Sequence, residues 1–225
     1  MSGVFITGTD TGVGKTEITC GLLAACRARG ITAVGMKPVA SGCVPGDDGL
    51  QCDDAVKLMA AGGVDAPYAE VNPYALAEPI APHIAAGLAG VEIRLGAIRK
   101  AFGALSQRAD IVLVEGVGGW RVPLGPALAL SDLPNALGIP VVLVVGLRLG
   151  CLNHSLLTAE SIRARGVRLA GWVANEVDPD MRAKDENIAT LAALLDAPTL
   201  GVVPRVNLPK PEVIAEYLNL DPLLR

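Results

Sequence analysis

The stretch whose residue types and spacing could do chemistry is Thr7-Gly8-Thr9-Asp10-Thr11-Gly12-Val13-Gly14-Lys15-Thr16. Gly12 and Gly14 let the backbone come close to an anion. A helix opening after Lys15 would turn free N–H groups and its positive dipole end toward that anion, and Lys15 adds a point charge. The Thr16 hydroxyl stands where it could bind the Mg²⁺ that travels with a nucleotide. The spacing is a variant: the usual pattern of Gly, four residues, Gly-Lys-Ser/Thr puts glycine where Thr9 stands, so this loop is one residue longer and starts at Gly8.

Other residues could join it. Asp110-Ile111-Val112-Leu113-Val114-Glu115-Gly116-Val117-Gly118-Gly119 reads as an apolar strand ending in an acid and glycines, the position from which a second carboxylate is presented to a metal. Asp54 is a metal ligand or, with Asp53, an acid favoured at a helix N-terminus. Lys37 follows an apolar strand and is either a site lysine or a surface-turn lysine, and Ser41 binds an anion or stabilises its own turn. Residues 150–153, Gly150-Cys151-Leu152-Asn153, are a second helix start able to take an anion, or an ordinary connection. Asn175 stands where base-recognition residues occur. It lacks the Asn-Lys-x-Asp guanine signature, which favours adenine. His83 and His154 belong to no metal-binding cluster, and Cys151 lacks an evident histidine and acid partner.

The elements that must position these residues follow from periodicity. Residues 4–6, 32–36, 110–115, 140–146, 169–173 and 200–203 are short apolar strands without polar alternation, as in a parallel sheet buried on both faces. Helices are expected over 18–26, 53–61, 91–107, 153–165 and 180–196. Strands alternating with helices give an α/β fold, a doubly wound and mostly parallel sheet that is P-loop NTPase-like, as one domain over residues 1–225. Ligands then bind beyond the carboxyl ends of the strands, which gathers the loops named above at one rim. Residues 43–49 read as an exposed, flexible loop, and the proline-rich stretch 67–82 as a pocket wall.

Composition narrows the partners. The chain has 225 residues, 51% of them hydrophobic and 19% charged, with a net charge of -4 and 3% aromatic residues. That argues for a packed core and against a nucleic-acid surface, which needs a basic field and stacking platforms. No apolar run reaches the roughly 18 residues of a membrane span, and no leader is expected. Five cysteines without paired spacing suggest reduced thiols and a cytoplasmic protein.

Several motifs together resemble one family. Beside the first loop stand Lys37-Pro38-Val39-Ala40-Ser41-Gly42, Val71-Asn72-Pro73-Tyr74, Glu78-Pro79 with Pro82-His83, and Val114-Glu115-Gly116-Val117-Gly118-Gly119-Trp120. Leu149-Gly150-Cys151-Leu152-Asn153-His154 and Ala170-Gly171-Trp172-Val173-Ala174-Asn175 complete the set. In this order they are similar to the dethiobiotin synthetases over nearly the whole chain. The resemblance implies an ATP- and Mg²⁺-dependent reaction of CO₂ with 7,8-diaminononanoate (diaminopelargonate), through a carbamate and a carbamic-phosphoric anhydride, to dethiobiotin, ADP and phosphate. It implies catalytic roles for Lys15, Lys37, Thr11 and Ser41, and Mg²⁺ ligation by Thr16, Asp54 and Glu115. Nucleotide contacts fall to Gly12, Val13, Gly14, Lys15, Thr16, Glu115, Gly116, Asn175, Pro204, Arg205 and Val206. Substrate contacts fall to Thr11, Lys37, Ser41 and Gly118 and, from a second subunit of a homodimer, to Leu149, Gly150, Cys151, Leu152 and Asn153. Asn187 stands where some members carry an aromatic residue for the substrate tail, and Gly12 where some carry an acid. A ParA/MinD-like ATPase switch shares the fold. Its extra signature lysine before the glycines is replaced here by Asp10 and Thr11, and no basic or amphipathic docking helix is evident.

Overall fold

The computed structural model describes residues 3–46, 49–207 and 210–224. In chain order it contains β1 (Gly3–Gly8), α1 (Lys15–Ala28), β2 (Ala33–Met36), β3 (Val39–Ser41), β4 (Val44–Gly46), β5 (Gly49–Gln51), α2 (Asp53–Gly62), α3 (Tyr68–Val71), β6 (Tyr74–Leu76) and α4 (Pro82–Leu88). Then follow α5 (Leu95–Ser106), β7 (Ile111–Glu115), α6 (Leu133–Leu137), β8 (Val141–Leu147), α7 (Cys151–Ala164), β9 (Leu169–Glu176), α8 (Lys184–Leu194), β10 (Thr199–Val203) and α9 (Pro211–Ala215).

Six strands form one wholly parallel sheet in the order β10-β9-β8-β1-β7-β2. The uniformly apolar strands are explained by two-sided burial. Val4 and Ile6 enter one apolar cluster and Phe5 the other, and along β8 Val142 and Val144 part in the same way from Val141, Leu143 and Val145. Alternate residues of a strand face opposite sides, so both sides must be apolar when helices cover both. Ile18, Leu22 and Leu23 of α1, Leu58 of α2 and Ile214 of α9 complete one layer. Ile98 and Phe102 of α5, Ile162 of α7 and Leu191 of α8 complete the other. Among the described residues no helix is long and apolar enough to cross a membrane.

From β1 the chain runs out to β2 at the edge, returns to β7 on one side of β1, and then places β8 on the other. The strand order therefore reverses around β1, and the crevice of a doubly wound sheet opens at such a point. The glycine-rich loop that follows β1 lies in that crevice.

Several expected elements are corrected. Residues 43–49 are not simply a loop: Val44–Gly46 and Gly49–Gln51 pair antiparallel, with 47–48 outside the described residues. The helix expected from 91 opens only at Leu95, because Gly90 is left-handed (φ 65°) and Arg94 extended (φ −110°). The helix expected from 180 opens at Lys184, after Ala183 in the left-handed region (φ 53°), and the one expected from 153 opens at Cys151 after left-handed Gly150. The strand expected to stop at 173 continues to Glu176, so Asn175 lies within β9 and not after it. A two-stranded parallel pair, β3 with β6, was not legible from pattern.

Candidate active site

Val13 is the plug beneath the phosphate-type loop. It is 1% exposed, and a Cβ built on Gly8 or Gly146 would lie 2.6 or 2.9 Å from its methyl groups, so both glycines make room for it. Gly14 precedes α1 at φ 84°, a conformation glycine adopts without strain, and leaves the N-terminus of α1 open with no side-chain cap. Asn175 reaches over from β9 to donate through Nδ2 to the Val13 carbonyl at 2.9 Å. A Cβ on Gly14 would come within 2.1 Å of that nitrogen.

Lys15 lies in α1's first turn, buried, with Nζ donating to the Asp10 carbonyl at 3.1 Å. Burial lowers its pKa to about 8, and the nearby Lys37 ammonium pushes in the same direction. A charge held with so little compensation is ready for an incoming anion. Asp10 also caps its own loop, accepting from the Thr11 N–H at 2.7 Å and pairing with Arg148.

At the end of β2, Lys37 is 3% exposed and its Nζ donates to Glu115 Oε1 at 2.6 Å and to Asp54 Oδ2 at 2.8 Å. Burial alone would lower its pKa, but the two carboxylates outweigh burial and raise it. Burial likewise pushes Asp54 up, and Lys37 more than reverses this, holding the carboxyl below its ordinary value. Glu115, at the end of β7, is fully buried and also accepts from Thr16 Oγ1 at 2.9 Å. Its second oxygen, Oε2, is buried without a partner.

That orphaned oxygen bears on Mg²⁺. Two carboxylates and a hydroxyl meet where the triphosphate of a nucleotide would enter, a hard oxygen set that fits Mg²⁺ completed by phosphate and water. Among the described residues there is no group of three His, Cys, Asp or Glu that could hold a metal ion.

The opposite lip is the loop after Glu115. Gly118 (φ 63°) brings it beside the first loop, where a Cβ would lie 3.6 Å from Thr11 Oγ1. Trp120 anchors this lip: it is 3% exposed, packs edge-on against Phe5 at 6.5 Å, and donates from Nε1 to Ser161 at 3.1 Å. The cleft between the lips measures about 720 Å³ and is lined by Thr11, Lys15, Thr16, Lys37, Ser41, Asp54, Glu115 and Gly118, among others. Pro79, Ile80, Ala81 and Pro82 form its wall, the part expected of the proline-rich stretch.

A family model described as an AAA domain matches residues 2–212. The ATP-dependent dethiobiotin synthetase BioD of Pseudomonas aeruginosa (strain UCBPP-PA14) is 51% identical over 224 residues, covering 99% of this chain and 98% of that protein. Its namesake from Aromatoleum aromaticum is 51% identical, covering 96% of each chain, and that of Nitrosospira multiformis 54% identical, covering 90% and 88%. The chain belongs to the dethiobiotin synthetase family. It is thus an enzyme of an ATP-dependent ligase family. The fold is shared more widely than the synthetases. The signal recognition particle 54 kDa protein of Aeropyrum pernix superposes with a TM-score of 0.59 at 18% identity, over 98% of this chain and 44% of that one. A chain of the MinC:MinD cell division protein complex from Aquifex aeolicus gives 0.56 at 12%, over 98% and 88%.

The residues that the synthetase resemblance singled out are spread over several parts of the structure. Thr11, Gly12, Gly14, Lys15, Thr16, Lys37, Ser41, Asp54, Glu115 and Gly118 share the cleft. Gly116 lies beneath it, with its carbonyl 3.4 Å from Lys37 Nζ. Asn175 and residues 204–206 lie together beyond Val13, because Val203 pairs with Asn175 in register. The Arg205 N–H there donates to Glu176 at 3.4 Å. Leu149, Gly150, Cys151, Leu152 and Asn153 do not line the cleft: Leu149 is 96% exposed, Asn153 is exposed and Cys151 is buried. Asn187 is spent on its own helix, donating from Nδ2 to the Ala183 carbonyl at 2.7 Å. The main omission of sequence reasoning is the pair Asn72, which donates to the Lys37 carbonyl, and Tyr68, which donates to Asn72. The one available signal was Asn72 within the Val71-Asn72-Pro73-Tyr74 motif.

Proposed function

We propose that the chain, as a single domain, closes a ureido ring: 7,8-diaminononanoate, CO₂ and ATP give dethiobiotin, ADP and phosphate. The observation that carries this reading is the cleft itself. An anion-binding helix start, two buried lysines and two carboxylates meet there, in a chain half identical to proteins named dethiobiotin synthetase.

One amine of the substrate adds to CO₂ and releases a proton, leaving a carbamate whose oxygens Thr11, Lys37 and Ser41 hold. A carbamate oxygen then attacks the γ-phosphorus and ADP leaves, which gives the carbamic-phosphoric anhydride. The neighbouring amine attacks the carbamoyl carbon, loses a proton and expels phosphate, closing the ring. Lys15 and Lys37 neutralise charge on the carbamate and the transferring phosphoryl group. Positioning and charge stabilisation supply the acceleration, so no covalent nucleophile is required. Gly12, Val13, Gly14, Lys15, Thr16 and Gly116 hold phosphates, with adenine at Asn175 and the backbone of Pro204, Arg205 and Val206. Thr16, Asp54 and Glu115 would hold Mg²⁺, which when bound offsets phosphate charge. The substrate runs past Gly118, and its carboxylate meets the start of α7 of a second copy, at Leu149, Gly150, Cys151, Leu152 and Asn153. The working form is then a cytoplasmic homodimer whose partners are small molecules, not nucleic acid or membrane.

ADP release by the purified protein with Mg²⁺, bicarbonate and ATP should depend strongly on the diamine. Turnover that is equal without diamine, or that rises with DNA or lipid vesicles instead, would point to a nucleotide switch and overturn the ligase reading.

A further inference from the structure

Lys37 is held at both ends. Its ammonium is fixed by Asp54 and Glu115, while its backbone sits in a second, largely buried network around Asn72 and the partly buried Tyr68 that touches no reacting group. The Lys37 N–H donates to the Val71 carbonyl at 2.8 Å, and its carbonyl accepts from Asn72 Nδ2 at 2.5 Å. Asn72 is 3% exposed, and its Oδ1 accepts from the Tyr68 hydroxyl at 2.9 Å. The same hydroxyl oxygen accepts from the Cys52 N–H at 2.7 Å. Cys52 is the residue on which α2 opens, and Asp54, two residues on, is the partner of Lys37 Nζ.

These bonds close a ring. It runs from Lys37 Nζ to Asp54, back along the start of α2 to Cys52, through Tyr68 and Asn72, and returns to the Lys37 carbonyl. The N–H that Tyr68 takes is one that a helix commonly satisfies from a Glu or Gln at its third position. Here that position is Ala55, and Cys52 offers no side-chain cap, so the job passes to a residue outside the helix. A lysine has four rotatable side-chain bonds. Its ammonium is held at a defined distance from the first loop only if the lysine backbone and the Asp54 backbone are both fixed relative to each other.

We infer that Tyr68 and Asn72 are positioning residues for the phosphoryl-transfer step, acting through the Lys37–Asp54 pair. This rests on the role proposed above for Lys37. The test uses the full-length enzyme with Tyr68→Phe, which keeps the aromatic side chain and removes only the bridging hydroxyl, and Asn72→Ser as a second variant. Diamine-dependent kcat is measured together with ADP affinity by calorimetry. Misplacing a catalytic group by about 1 Å is enough to lower turnover about a hundredfold. The expected result is a kcat at least tenfold lower with ADP affinity, titrated without Mg²⁺, within twofold of wild type, since the first loop and Lys15, unlike Asp54, lie outside the ring. A kcat within threefold of wild type in both variants overturns the inference. So does a parallel loss of kcat and ADP affinity, which marks general loosening of the fold. Wild-type enzyme without diamine-dependent turnover would instead overturn the proposed function.

Discussion

The two lysines of the cleft are opposites in energy, although both are buried. Lys37 bonds two carboxylates directly, whereas Lys15 Nζ bonds a backbone carbonyl, and burial together with the Lys37 charge outweighs the pull of Glu115, Asp54 and Asp10. Removing one partner of a buried ion pair leaves an uncompensated charge, so Lys37→Met should lose about 3–5 kcal/mol of stability, with Glu115 stranded. Lys15→Met relieves a buried charge that the fold disfavours, and should gain on the order of 2 kcal/mol while losing ATP affinity. Urea unfolding at pH 7 gives the stabilities and calorimetric titration the affinity. A stability loss in Lys15→Met as large as that in Lys37→Met would contradict this contrast. Lys15 and Glu115 could be read in the sequence because each sits in a local pattern, a glycine loop before a helix and an acid closing an apolar strand. That Lys37 pairs with Asp54, Asn72 and Glu115 could not be read, because these partners lie 17, 35 and 78 residues away along the chain.

At the scale of elements, the loop from β1 to α1 uses two left-handed glycines for different reasons. Gly12 (φ 73°) has open space where a Cβ would go, so Gly12→Ala meets only backbone strain, roughly 1–2 kcal/mol. Gly14 (φ 84°) has Asn175 Nδ2 in that place. Gly14→Ala must therefore also push away the amide that holds the Val13 carbonyl. We expect Gly12→Ala to keep ADP affinity within a few-fold and Gly14→Ala to lose it by tenfold or more; equal affinities in the two variants would show that the Asn175 contact does not shape the loop. The central strands were readable because burial on both faces demands an unbroken apolar run. The β4–β5 hairpin and the β3–β6 pair were not, since three-residue strands carry too few residues to show a period. The late starts of α5 and α8 come from backbone turns at Gly90 and Ala183, and Ala183 carries no compositional mark of a left-handed residue.

For the whole molecule the decisive fact is where the start of α7 lies. Gly150 and the residues after it offer a second open helix N-terminus, yet in one chain they stay outside the cleft, and Leu149 beside them is 96% exposed. If the substrate carboxylate is bound there, it must be bound by another copy, and a twofold dimer then has two sites, each built from both chains. This makes a quantitative prediction. Lys37→Ala and Asn153→Ala dimers should each be nearly inactive, since every site in either carries the lesion. After subunit exchange at equal amounts, about half of the dimers are mixed, and each mixed dimer has one site with both lesions and one with neither, so about a quarter of all sites recover. Diamine-dependent ADP release should rise toward that fraction with the time course of exchange, followed independently by native mass spectrometry. Confirmed exchange without any recovery would mean that each chain completes its own site, and the start of α7 would lose its assigned anion.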